Sequence, residues 1–263
     1  MIPLRDNNPT RSFPIICVLI IAVNVAVFLW DQLHPMLVRD IVLTRYGPRA
    51  IQMPIGELSL HYAMIPALVT GQGSENVRLP IDVQPAWLTI FTSMFLHANW
   101  LHIGGNMLYL WVFGNNIEDV LGKGRFVLFY LLSGLGAAAV HIASDPSSTI
   151  PTVGASGAIA GLMGAYLLLY PGTQILCLVP IFFFGMFFDL PAILVIGQWF
   201  VLQFINAQWL GSGEMLRGGG VAYLAHIGGF LTGLLLIVLF GGRGLLRPPP
   251  ARRGFDEDFL PLR

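Results

Sequence analysis

Charge is what this chain has least of: Asp, Glu, Lys and Arg make up 11% of its 263 residues, hydrophobic types make up 55%, and mean hydropathy is +0.71. A soluble domain carries about 25% charged residues, so the composition excludes one and describes a polytopic membrane protein. The few charges also cancel, with 14 Lys plus Arg against 14 Asp plus Glu. That balance removes the electrostatic footprint of a nucleic-acid binder and leaves no acidic or basic partner to infer. Cysteine is scarce too. Cys17 and Cys177 both sit in apolar runs, where a free thiol behaves as a small hydrophobe, so neither a disulfide framework nor a metal-ligand spacing can be read. A cleavable leader is likewise not evident, because the first apolar run ends at Trp30-Asp31 without an Ala-x-Ala site. It is long enough to span a bilayer and reads as a retained first helix.

What is present is a series of apolar runs bounded by charges or Gly/Pro clusters, at about 13–31, 91–113, 125–143, 153–170, 191–208 and 222–241. These predict an all-α, six-transmembrane-helix bundle. The stretch 174–188 is also apolar, but it is short, broken by Pro180 and closed by Asp189 and Pro191. It reads as a re-entrant or interfacial connection. Residues 1–12 form an N-terminal segment, 13–241 the membrane domain with a long first loop at about 32–86, and 242–263 a tail. Arg5, Arg11, Lys123, Arg125, Arg243, Arg247, Arg252 and Arg253 fall on one side of the six-helix arrangement, which makes that side, with the N-terminus, cytoplasmic. Arg39, Arg45, Arg49 and Arg78 lie in the long loop, where charge counts little. Pro248-Pro249-Pro250 and the mixed charges after it predict an extended, weakly ordered tail.

With that topology, helices two, four and six run from outside to inside, so their first turns share the outer half of the membrane. They open with His102 and Asn106, with Ser156 and with His226 respectively. Polar groups at membrane depth are costly, so each is a functional-site hypothesis by default. Gly157 and Gly161 on one helix and Gly229 and Gly233 on the other are small-xxx-small pairs that let the two backbones approach closely. Such packing brings a serine and a histidine within the hydrogen-bond reach that a nucleophile and its base require. Asn106 lies one turn beyond His102 on the same face. Hydrolysis at that depth needs water, hence a polar cavity open to the outside.

The segments His97-Ala98-Asn99-Trp100-Leu101-His102-Ile103-Gly104-Gly105-Asn106, Gly154-Ala155-Ser156-Gly157 and Ala225-His226-x-x-Gly229-x-x-x-Gly233 resemble the signature of rhomboid intramembrane serine proteases. The run Phe113-Gly114-Asn115-Asn116-Ile117-Glu118-Asp119 is also similar, and the likeness covers roughly residues 85–240. The resemblance implies Ser156 as nucleophile, His226 as base and then acid, and His102, Asn106 and the Ser156 backbone N–H as oxyanion stabilisers. It implies no cofactor, transmembrane segments of other proteins as substrates, cleavage near their outer ends, and an integral location in the inner cell membrane. No Asp or Glu lies near His226 in helices two, four or six, so no acidic third member is expected. Two positions depart from the family pattern. Leu88 follows Trp87 where Arg is common, and Ala160 stands one turn after the nucleophile where an aromatic often braces the histidine.

Taken singly, these residues have plain alternatives. Ser156 could be a helix N-cap, His226 a packed histidine on a backbone carbonyl, and Asn106 an interhelical hydrogen-bonder. His34, His61, His97 and His141 are given no role. A bis-histidine haem bundle would draw its ligands from His97, His102, His141 and His226, but it leaves Ser156 and Asn106 unexplained. A non-catalytic relative would be marked by loss of Ser or His, and a transporter by intramembrane charges or inverted repeats. Substrate segments with Gly, Pro or small residues are expected because the scissile bond must unwind. Lateral access is expected between helices two and five, with Trp199, Phe200 and Phe204 as lipid-side or gate candidates.

Overall fold

A computed structural model describes all residues except 45–46, 73, 75–84, 182–183, 210–221 and 246–263. The N-terminal segment contains strand β1 (Ile2–Asp6), and the first apolar run forms α1 (Ile15–Leu33). Carboxylates act at both ends of this helix, Glu118 capping its start and Asp31, in its last turn, capping the chain that follows at 57–59. No side chain of its own caps the start. Glu118 does so, its Oε1 accepting from the Ile16 N–H at 3.0 Å and its Oε2 from Cys17 N–H at 2.8 Å. An anion on orphan N–H groups at the positive end of a helix is favoured by hydrogen bonding and by the dipole. At the far end Asp31, 2% exposed, accepts from Leu58 N–H at 2.8 Å, from Ser59 N–H at 3.3 Å and from the Ser59 hydroxyl.

The long first loop is built rather than open. Strands β2 (Pro35–Thr44) and β3 (Gly47–Gly56) pair as an antiparallel hairpin, followed by α2 (Glu57–Tyr62) and α3 (Pro66–Thr70). This part of the loop ties down the connection at 145–155. Met64 bridges Thr152, the Ala67 N–H donates to Ser148 O at 2.9 Å, and the Thr70 hydroxyl donates to Pro146 O at 2.7 Å.

The second expected span, 91–113, is not one helix. Helix α4 (Ala86–Thr92) passes into a 3₁₀ turn (Ser93–Phe95), and a separate rod follows as α5 (Trp100–Tyr109), a π turn (Leu110–Gly114) and α6 (Asn115–Leu121). The break has a local cause. Leu96 and Asn99 are extended, and the Asn99 side chain accepts from the His102 N–H at 2.9 Å as the N-cap of a new helix. Helices α7 (Lys123–Ser144) and α8 (Ser156–Leu169) follow.

The 174–188 stretch is a β-hairpin, β4 (Gln174–Ile181) and β5 (Phe184–Pro191), and β1 joins its edge in the order β1-β4-β5. Its apolar run is made of strand formers, Ile, Val and Phe, with Pro180 near the turn, which favours pairing over a buried loop. The chain is therefore mostly helical with two small sheets, and an all-helical description needs that correction. Helices α9 (Ala192–Trp209) and α10 (Tyr223–Leu245) complete the described chain. The tail expected from 242 onward begins with the end of α10. Its remainder, with Arg247, Arg252 and Arg253, lies outside the described residues, as do Arg45 and Arg78. Three helices, Ile15–Leu33, Lys123–Ser144 and Tyr223–Gly241, are long and apolar enough to cross a membrane, whereas Ala86–Phe95, Ser156–Leu169 and Ala192–Asn206 are apolar but shorter.

Helix α8 is the centre of the core, buried on nearly every side, as expected of a helix that is apolar all round. Its seam with α10 is backbone on backbone. A Cβ at Gly229 would overlap the Gly157 carbonyl oxygen, and one at Gly233 would overlap the Gly161 backbone. On its other side α8 meets α7, where Gly157 faces Ala137 and Gly161 faces Ser133. Gly233→Val forces two backbones apart, which no rotamer change relieves. It should cost about 3 kcal/mol or more in micelle unfolding, whereas Gly104→Ala, which meets open space, should not.

The end of the bundle that carries β1 is fastened by polar groups. The Ser12 N–H and hydroxyl donate to Asp119 Oδ1 at 3.0 and 2.9 Å, and Asp6 Oδ2 accepts from Asn116 Nδ2 at 2.7 Å and from the Tyr166 hydroxyl. Desolvation pushes the Asp6 carboxyl up to about 6, against the lowering effect of the Tyr166 and Asn116 bonds. The folded state thus holds this proton more tightly than the unfolded chain. The resulting stabilisation is full below the unfolded value of 3.8 and is lost as pH rises through about 6. Asp6→Asn should flatten stability between pH 4 and 6 and raise it above pH 7 by on the order of 1 kcal/mol, the group being only partly buried. Unfolding midpoints measured against pH check this.

Candidate active site

The first turns of α5, α8 and α10 meet at the end of the bundle opposite Asp6. Ser156 is the first residue of α8, and the turn before it is held by two features. Gly154 adopts φ +130°, a conformation open to glycine, and its N–H donates to Ser93 O at 2.9 Å. The N-cap position belongs to Ala155, and no side chain caps the helix. The Ser156 hydroxyl instead lies 2.7 Å from His226 Nε2. His226, in the first turn of α10, is 8% exposed, whereas Ser156 is partly exposed. The alcohol is thus reachable and the imidazole is shielded.

Both nitrogens of His226 are occupied. Nδ1 lies 2.7 Å from Gln203 Oε1 of α9. An amide oxygen accepts only, so Nδ1 carries the proton, Nε2 presents its lone pair, and the Ser156 hydroxyl donates to it. One turn before Gln203, the Trp199 ring lies over the imidazole with centroids 5.6 Å apart and planes at 33°. Trp199, expected at the lipid side or a gate, is therefore part of the histidine's setting. Ala160, one turn into α8, is fully buried. Phe200 packs on Phe230 at 4.5 Å, and Phe204 is exposed.

His102 reaches the same place from α5. A Cβ built on Gly154 would stand 2.8 Å from His102 Nε2 and 3.6 Å from Ser156 Oγ, so the imidazole lies against the backbone just before the serine. His102 Nδ1 faces the Ala98 N–H at 3.5 Å, a long contact that leaves the proton on Nε2, toward Gly154. Asn106, 8% exposed and one turn further in, has its Nδ2 buried without a hydrogen-bond partner. An unpaired buried donor is costly, and an anion forming beside it would satisfy it.

His97 is buried with its ring 5.0 Å from His102, His141 Nε2 bonds the Thr152 hydroxyl at 3.0 Å, and His34 stacks on Trp30. Axial haem ligation by His226 through Nε2 would have to break its bond to Ser156.

The residue that sequence reasoning passed over is Gln203. Its signal was available: a polar side chain four residues after Trp199, on one face of an apolar helix. Gln203 is 8% exposed, whereas Gln198 on the same helix is exposed.

The geometry makes Gly154 the least replaceable backbone position here, by its φ and by its contact with His102. Gly154→Ala should slow fluorophosphonate labelling of Ser156 about tenfold or more. Gly172→Ala, which meets nothing, should label at the parent rate.

Comparison with known proteins gives a match to the rhomboid domain over residues 84–243. The chain is 32% identical over 158 residues to "Rhomboid protein 1, mitochondrial" of Saccharomyces cerevisiae, covering 59% of this chain and 42% of that protein. It is 30% identical over 164 residues to "Rhomboid-like protein 11, chloroplastic" of Arabidopsis thaliana, covering 59% and 53%. It is 42% identical over 84 residues to "Rhomboid protease GluP" of Bacillus subtilis, covering 32% and 16%. The chain thus spans about half or less of the length of these relatives.

Proposed function

The chain belongs to the rhomboid family, and we propose that it is an intramembrane serine endopeptidase that cuts transmembrane segments of other proteins with Ser156 and His226. The observation that carries this reading is the 2.7 Å bond between Ser156 Oγ and His226 Nε2, made between two helices whose glycines let their backbones touch. In the reaction, Ser156 Oγ attacks the scissile carbonyl and His226 Nε2 takes its proton. The charge that develops on the carbonyl oxygen is met by the Ser156 N–H, a free donor in the first turn of α8, by His102 Nε2–H and by Asn106 Nδ2–H. Preorganised donors of this kind act on the transition state rather than the substrate. The imidazolium then protonates the leaving amine, and water, activated by the same histidine, hydrolyses the acyl-enzyme. No step uses a cofactor.

Six membrane crossings are consistent with this scheme. The rod from α5 to α6, with α8 and α9, lies within the same bundle as the three helices of full length. Ser156 heads a rod of 14 residues, about 21 Å long, against a hydrocarbon core of about 30 Å. The reading therefore sets the serine below the outer surface, in a water-filled cavity open on the side away from Arg5, Arg11, Lys123 and Arg125. That basic side is cytoplasmic in the inner cell membrane, with residues 13–241 as the membrane domain. Partly exposed Ser156 over buried His226 supports such a cavity. Substrate enters sideways from the bilayer, between the α5 rod and α9. The partners are membrane proteins and lipid, with no part for nucleic acid.

In proteoliposomes carrying a model transmembrane segment rich in Gly and Pro, Ser156→Ala and His226→Ala should each abolish cleavage while the protein stays folded. Asn106→Ala should slow it by about 100-fold and leave measurable turnover. Unchanged cleavage in either Ser156→Ala or His226→Ala would remove the mechanism.

A further inference from the structure

We infer that Gln203 is the positioning residue for His226, a neutral third member that fixes the tautomer and orientation of the base from a helix carrying neither Ser156 nor His226. The inference rests on the protease reading above and deepens it.

A glutamine on an apolar membrane helix is expensive unless paired. Gln203 is 8% exposed, and its oxygen meets His226 Nδ1 at 2.7 Å in a buried contact. The chemistry of that atom matters. A neutral imidazole has two tautomers, and only the one protonated on Nδ1 can accept the Ser156 proton at Nε2. With the amide oxygen turned to Nδ1, the productive form is the one that is hydrogen-bonded at both ends. When Nε2 gains the proton, both N–H groups still have acceptors, so the imidazolium is stabilised without any rearrangement.

The surroundings explain why an amide serves here. The other titratable groups that act on His226 are His102 of α5 and His141 of α7, and the described residues of α8 and α9 that meet it are Ser156, Gln203 and Trp199. None is a carboxylate. A buried carboxylate beside a neutral imidazole would be an unpaired charge for the whole resting state, whereas an amide dipole gives orientation without that cost. Trp199, four residues earlier on the same face of α9, covers the ring and fixes its plane. The aromatic brace and the hydrogen-bond anchor therefore both come from α9, which offsets Ala160 on α8.

The test uses the full chain in proteoliposomes, with Gln203→Leu, Gln203→Glu and Ser156→Ala compared for kcat, KM and the pH dependence of kcat/KM. Gln203→Leu should lower kcat by at least about tenfold and move KM by less than about twofold. Gln203→Glu keeps an acceptor on Nδ1 and adds charge. It should recover kcat relative to Gln203→Leu or move the acid limb of the profile to higher pH, because a carboxylate favours the imidazolium. If Gln203→Leu fails to fold, the acid limb of Gln203→Glu decides alone. The inference is overturned if Gln203→Leu turns over at the parent rate. It is also overturned if its loss is neither rescued nor accompanied by a displaced acid limb in Gln203→Glu, which would mark packing alone. Full cleavage by Ser156→Ala would instead overturn the protease reading. An inactive Ser156→Ala beside an unimpaired Gln203→Leu would overturn only the role of Gln203.

Discussion

Contact between the backbones of α8 and α10 is the constraint from which the site follows. In lipid, helices gain little from hiding apolar surface from one another, so their association depends on close van der Waals approach and interhelical hydrogen bonds. Gly157 and Gly161 present carbonyls where Gly229 and Gly233 present no side chain. A serine hydroxyl is short and a histidine ring only slightly longer. Their hydrogen bond across 70 residues of sequence exists because nothing larger than hydrogen lies between the two rods. The same closeness packs α8 against α7 on its other flank, so Ser156, the proposed nucleophile, heads a helix buried on nearly every side.

The scarcity of charge takes on meaning in the folded chain. Glu118 caps the start of α1, Asp31 reaches from the last turn of α1 to cap the start of α2, and Asp119 and Asp6 fasten the N-terminal segment to the α6 and α8 ends. Ionised groups are used where helix ends and water make them tolerable. The site itself is assembled from neutral polar groups, Ser156, His226, His102, Asn106 and Gln203. A charge held beside buried His226 before reaction would have to be stabilised by the protein alone, whereas neutral dipoles respond to charge only when it forms.

Much of this was legible before any coordinates. The glycine spacing on two apolar runs implied their contact, and the place of Ser156 and His226 near the starts of their runs implied a shared level. Apolar periodicity located the long helices within a few residues. It failed where local hydrogen bonding overrode hydrophobicity. The Asn99 cap split the run at 91–113, and a string of strand formers paired with residues 2–6 at a distance no local pattern reports. Gln203 was missed for a related reason. Its significance lies in the atom it faces, and neither the spacing of α9 nor that of α10 alone contains that pairing. Ala160 holds the place on α8 where an aromatic was expected, and the ring beside His226 is Trp199 of another helix.

The pairing of β1 with β4 carries a consequence for biogenesis. Ile2 meets Leu178 and Asp6 meets Ile175, so the first strand has no partner until the ribosome has made most of the membrane-embedded chain. At about 5–20 residues per second, that is a wait of roughly 10–30 s. During it the leading residues must stay unaggregated and on the same face of the membrane as the hairpin that will receive them. Closing this sheet is thus a late step of assembly, and it reports that the intervening helices have been inserted with the right parity.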